Sequence, residues 1–111
     1  MKKIYYLKTC DTCRRILKEM DTTGYMLQNI KTDPITVEQL EAIYSLTNSY
    51  EVLFSRRAKK YKEMDLKNQD LSEKDYRQLI LDEYTFLKRP VIINEHKVLV
   101  GNTKKRVDIF S

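Results

Sequence analysis

The sequence predicts an α/β domain built on a mixed sheet, and three features carry that prediction. A β-rich run, "KKIYYL", a helical pattern and a second β-rich run, "GYMLQNI", follow one another within about thirty residues. That is the order of a β-α-β unit, with parallel strands and a right-handed crossover. Helical signals then dominate from Thr36 to Leu87. At "RPVIINEHKVLVG" the pattern switches to two β-rich runs about a polar "NEHK" turn, an antiparallel hairpin. Parallel and antiparallel pairs together make the four-stranded sheet mixed.

Each element has its own signal. The first strand stops at Lys8-Thr9. From Asp11 to about Met20 the apolar residues Cys13, Ile16, Leu17 and Met20 recur on one face of a 3.6-residue period, with Cys10 or Thr9 as the cap. Gly24 ends this helical unit and "GYMLQNI" is the second strand. Beyond Pro34, Thr36 and Gln39 have the spacing of a capping box, and Val37, Leu40, Ile43, Tyr44 and Leu46 give the next helix its apolar face. "YEVLFS" is short and fits either a strand or a helical turn. "LSEKDYRQLILDEY" opens on a Ser72–Asp75 cap pattern and carries Tyr76, Leu79, Ile80 and Tyr84 inward. After the hairpin, "TKKRVDIF" predicts a closing helical turn or two, with Val107 and Phe110 packing back. No repeat, linker or low-complexity segment interrupts the chain.

At 111 residues the chain suits one domain, 1–111, able to bury roughly two thirds of its unfolded surface without cross-links. An apolar fraction of 41% with 33% charged residues excludes a disordered chain. No apolar run approaches the ~18 residues of a membrane span, and "MKKIYYLKTC" is too short and polar for a secretory segment, so a cytoplasmic, non-membrane protein is expected. The net charge of +5 arises from 21 basic and 16 acidic residues mixed through the sequence, so no direct nucleic-acid binding is expected. One cluster stands apart, "SRRAKKYK" at residues 55–62. It could grip phosphates, or it could be an exposed amphipathic segment.

The chemistry concentrates at "TCDTCRR". Cys10 and Cys13 are the only cysteines and His96 the only histidine, too few ligands for a structural zinc, so no metal or bound cofactor is expected. In a reducing cytosol such a pair is more often catalytic or redox-sensing than structural. A cysteine at a helix start lies at the positive end of the helix dipole, which depresses its pKa, and Arg14 and Arg15 could add to that field. Cys13, three residues on, is close enough for a disulfide. The alternative is that Cys13 is an ordinary buried hydrophobe. Arg89 precedes Pro90 at a strand entrance, where a guanidinium can present its planar fork to an oxyanion.

Three blocks, "IYYLKTCDTCRRIL", "LFSRRAKKYKEM" and "FLKRPVIINEHKVLVGN", resemble in order and spacing the arsenate reductase-like (ArsC/Spx/YffB) branch of the thioredoxin superfamily. The resemblance covers nearly the whole chain. It implies a thioredoxin-like core with a helical insertion at about residues 36–87, and a cis-proline at Pro90 beside the active site. It further implies Cys10 as nucleophile and Arg57 and Arg89 as oxyanion-contacting arginines. Cys13 is expected as the redox partner of Cys10 from its spacing, and Arg57, Arg89, Pro90 and Arg14 as the residues lining the substrate.

The implied activity is that of a thiol-dependent oxidoreductase acting on a small oxyanion or thiol. Glutathione or another thiol would be co-substrate, and glutaredoxin or thioredoxin the reductant. The alternative is a Spx-like redox-sensing transcriptional regulator that binds the RNA polymerase α-subunit. Against the arsenate reductase pattern, this chain has Asn102 for a third arginine, Tyr6 for a histidine and Cys13 for a serine; Arg106 could reach inward instead. Against the regulator pattern, "LTNSYEVLF" lacks a glycine of the polymerase-contacting surface.

Overall fold

The computed structural model describes residues 1–101. Its elements are β1 (Lys2–Tyr6), α1 (Asp11–Glu19), β2 (Met26–Asn29), α2 (Val37–Thr47), α3 (Lys59–Glu63), α4 (Glu73–Asp82), β3 (Val91–Asn94) and β4 (Lys97–Val100). Single 3-10 turns lie at Glu51–Leu53, Leu66–Asn68 and Tyr84–Phe86. Two compact units result, one made of Met1–Pro34 with the chain from Arg89 onward, the other of Ile35–Lys88. The predicted closing segment, with Val107, Phe110, Asn102 and Arg106, lies outside the described residues.

The first unit is a mixed four-stranded sheet of order β2-β1-β3-β4. β1 runs parallel to β2 and antiparallel to β3, and β3 pairs antiparallel with β4. Ile4 stands opposite Ile92, and Ile92 opposite Leu99, so the three form one apolar line across a face of the sheet. α1 lays Ile16 on that line, Met20 at its C-cap and Tyr25 join it, and Tyr6 and Leu17 pack at the margin. The helical period read from the sequence is therefore the period that meets the sheet. Each fully buried aliphatic side chain contributes about 1.5–3 kcal/mol.

β2 begins at Met26 rather than at Gly24. Gly24 takes a φ of +84°, a left-handed value that suits glycine, and the Tyr25 N–H donates to the Thr22 carbonyl at 3.0 Å. Both residues are spent on the turn.

In the second unit the two helix starts match the capping signals. The Thr36 hydroxyl accepts from the Gln39 N–H at 3.1 Å while the Gln39 side chain accepts from the Thr36 N–H at 3.0 Å. Ser72 and Asp75 do the same for α4. Of the residues expected on these apolar faces, Leu40, Ile43, Tyr76 and Ile80 are buried, whereas Val37 is 45% exposed at the first position of α2. "YEVLFS" resolves into one 3-10 turn followed by a single antiparallel bridge between Phe54 and Leu87. Phe54 anchors the unit, with its ring 4.9 Å from those of both Phe86 and Tyr76.

Candidate functional site

β1 ends at Tyr6, and the chain turns into α1 through a hydrogen bond from the Cys10 N–H to the Leu7 carbonyl at 3.0 Å. Cys10 is the N-cap, with extended backbone (φ −86°, ψ 121°). Its carbonyl accepts the Arg14 N–H at 3.0 Å, but its side chain makes no capping bond to the first-turn amides. Cys13 lies one turn along the same helix. Both cysteines are free; Cys13 is fully buried, Cys10 only partly.

The two thiols are driven apart electrostatically. At Cys10 burial opposes ionisation, but the Cys13 N–H, the Cys13 thiol, the charge of Arg89 and an Arg89 N–H together outweigh it and hold the pKa below the ordinary value. At Cys13 burial is again the largest influence, and there it prevails. The Leu7 N–H and Arg89 pull downward, while the charge of Cys10 and the hydrogen bond Cys13 gives to it push upward, so the thiol is pushed up to about 12. At neutral pH Cys13 therefore keeps its proton and Cys10 is the more readily ionised sulfur.

Arg89 reaches Cys10 because of strand register. Tyr5 pairs with Val91 at the end of the antiparallel β1–β3 ladder, two residues from Arg89 and five from Cys10. The Arg89–Pro90 peptide is cis. Pro90 is buried, and its carbonyl accepts the Gly101 N–H at 2.9 Å.

Cys10, Cys13, Arg89 and Pro90 are thus assembled by the first unit. Arg14 is exposed and paired with Asp11, and Arg15 approaches Glu19 at 3.8 Å; the cationic influence on Cys10 comes from Arg89. Arg57 belongs to the second unit, exposed in the turn before α3, its N–H 3.3 Å from the Ser55 hydroxyl. The Leu7 and Cys13 amides that act on the sulfurs were not singled out from the sequence. The signal for the latter was present, since Cys13 stands at the third position after the cap, where an amide has no intrahelical partner. Among the described residues, no group of three or more His, Cys, Asp or Glu could hold a metal ion. None of the described helices is long and apolar enough to cross a membrane.

The family model of ArsC matches residues 5–110. The chain belongs to the ArsC family. Over 99% of its own length and 86% of the relative's, this ArsC chain is 28% identical to global transcriptional regulator Spx 1 of Bacillus cereus. Among solved structures it is similar to an ArsC family related protein from Bacteroides fragilis, with 25% identity, a TM-score of 0.83, and 99% of this chain and 97% of that one covered. A Streptococcus mutans protein described as a possible arsenate reductase gives a TM-score of 0.78 at 23% identity, covering 98% and 97%. That likeness speaks to the fold, and the ArsC fold is the mixed sheet described above.

Proposed function

We propose that this ArsC-family chain is a thiol-dependent oxidoreductase for a small oxyanion, with Cys10 as nucleophile and Cys13 as the thiol that closes on it. The observation that carries this reading is the opposite displacement of two thiols one helical turn apart, with Arg89 acting on the lower one. With arsenate as the oxyanion, the Cys10 thiolate attacks arsenic(V), a sulfur–arsenic bond forms, and one arsenate hydroxyl takes a proton from solvent and leaves as water. Arg89 steadies the anionic oxygens through its planar fork. Once Cys10 is bonded to arsenic its sulfur is no longer a thiolate, which removes two of the influences that keep Cys13 protonated; burial, the largest, remains, and Arg89 stays beside both sulfurs.

Cys13 then gives up its proton to solvent and attacks the Cys10 sulfur. The sulfur–arsenic bond breaks, its electron pair leaves with arsenic as arsenic(III), and a Cys10–Cys13 disulfide remains. Glutathione or another thiol can take the part of Cys13, and glutaredoxin or thioredoxin returns the two electrons. The deciding assay is arsenite release in the presence of glutathione and glutaredoxin, with Cys10→Ser as control. Arsenite from wild type alone supports the reading; equal rates from both sink it. Sulfate protection of Cys10 against alkylation, compared between wild type, Arg57→Lys and Arg89→Lys, decides which guanidinium holds the anion.

The likeness to a Spx regulator across nearly the whole chain favours a second reading, a redox sensor whose Cys10–Cys13 disulfide changes its affinity for the RNA polymerase α-subunit. Binding to purified polymerase α that follows the state of the disulfide, with no arsenite released, would select the sensor.

A further inference from the structure

The basic stretch "SRRAKKYK" takes no part in the disulfide chemistry, and the second unit shows how its side chains are disposed. Five basic residues and no acid lie between Arg56 and Lys62, whereas the unit as a whole, Ile35–Lys88, holds nine basic and ten acidic residues. Charge in this unit is segregated rather than mixed.

Two side chains of the stretch make contacts within the unit. Arg56 donates to Glu51 at 2.9 Å and to the Tyr76 hydroxyl at 3.1 Å. Tyr61 packs against Phe54, ring centroids 6.1 Å apart. Lys59, Lys60 and Lys62 are exposed, and among the described residues their side chains have no ion-pair or hydrogen-bond partner. Met64, whose N–H donates to the Lys60 carbonyl at 2.9 Å, sits one turn beyond Lys60 and is 44% exposed.

We infer that α3 is a docking surface for an acidic protein segment that carries an apolar side chain. Lys59, Lys60 and Lys62 meet its carboxylates, and Met64 takes the apolar contact. Lys59 and Lys62, three residues apart, are like charges on one helix face and repel, and an opposite surface relieves that repulsion. Methionine is enriched where proteins meet. A nucleic acid fits less well. Tyr61, the one ring of the stretch, is half-buried and packs against Phe54, so it offers little face on which bases could stack.

The test uses fluorescence anisotropy on the intact chain with three probes: a labelled dodecapeptide of Asp-Asp-Leu repeats, the same length of polyaspartate, and a short DNA duplex. The expected result is binding of the Asp-Asp-Leu peptide in preference to the other two. Lys60→Glu with Lys62→Glu should weaken it about tenfold or more, a loss of about 1.4 kcal/mol, and Met64→Ser should weaken that peptide but not polyaspartate. The Cys10 alkylation rate should stay unchanged in these variants, which shows that the fold and the thiol site are intact. Preferential binding of the duplex, or peptide binding indifferent to the lysines or to Met64, overturns the inference.

Discussion

α2 and α4 begin with complete capping boxes, whereas α1 begins with a cysteine whose side chain leaves the first-turn amides uncapped. The caps of Thr36 and Ser72 satisfy amides that the helix cannot satisfy itself, a contribution of about 1 kcal/mol each. At Cys10 the same amides remain open to the sulfur. The Cys13 N–H that a serine or aspartate would have bonded instead favours a thiolate. The contrast separates two uses of one backbone feature: in the second unit a helix start supplies stability, and in the first it supplies an acidified thiol.

The sharpest way to break this comparison is to make the three starts alike. Cys10→Ser should abolish iodoacetamide labelling at the site and all disulfide formation. It should also raise the unfolding free energy in urea by about 0.5–1 kcal/mol, because serine caps the helix that cysteine leaves open. Loss of stability in this variant would mean that α1 needs no cap.

A smaller effect is expected at Arg89. Arg89→Met removes the cation that lowers Cys10, so labelling of Cys10 at mildly acidic pH should slow severalfold, with Arg89→Lys in between. An unchanged rate would leave the amides alone responsible.

Cys13→Ala should prevent the intramolecular disulfide after mild peroxide, as a non-reducing peptide map would show. It should also flatten the alkaline loss of stability. The sign follows from linkage: a thiol pushed up to about 12 in the fold stays neutral while the ordinary thiol of the unfolded chain ionises, so stability is full below the ordinary thiol range and falls as pH rises toward 12.

Thr36→Ala and Ser72→Ala should have the smallest effect on the thiol site. Each should cost about 1 kcal/mol in urea unfolding without altering Cys10 labelling. A change in labelling would couple the second unit's caps to the thiol.

The sequence made the local half of this picture legible. Thr36 with Gln39 and Ser72 with Asp75 announce their helices because a capping box is contained in four residues. The apolar spacing of Ile16 and Met20 matches the face that meets Ile4 and Ile92, and "NEHK" marks the hairpin turn. Elements decided by longer-range contacts were harder to see. "YEVLFS" has too few residues to show a period, and its outcome depends on the bridge from Phe54 to Leu87.

At the site, Cys10 and Cys13 were visible as a motif. That Arg89 acts on Cys10 from 79 residues away follows only from the β1–β3 register, and strand pairing between distant segments leaves no local trace. Arg14, within the first turn of α1, looked like a neighbour of the thiol, yet its guanidinium is taken by Asp11.

The central claim is that one helix start holds an acidified Cys10 beside a proton-bearing Cys13. Its most direct test is the pH dependence of iodoacetamide labelling, with each cysteine assigned by mass spectrometry. A thiolate reacts and a thiol does not, so the labelling of Cys10 should rise and level off below the range of an ordinary thiol, about 8.5. Cys13 should stay unlabelled throughout that range. Labelling of Cys13 ahead of Cys10, or both rising together at the ordinary thiol value, would contradict the account.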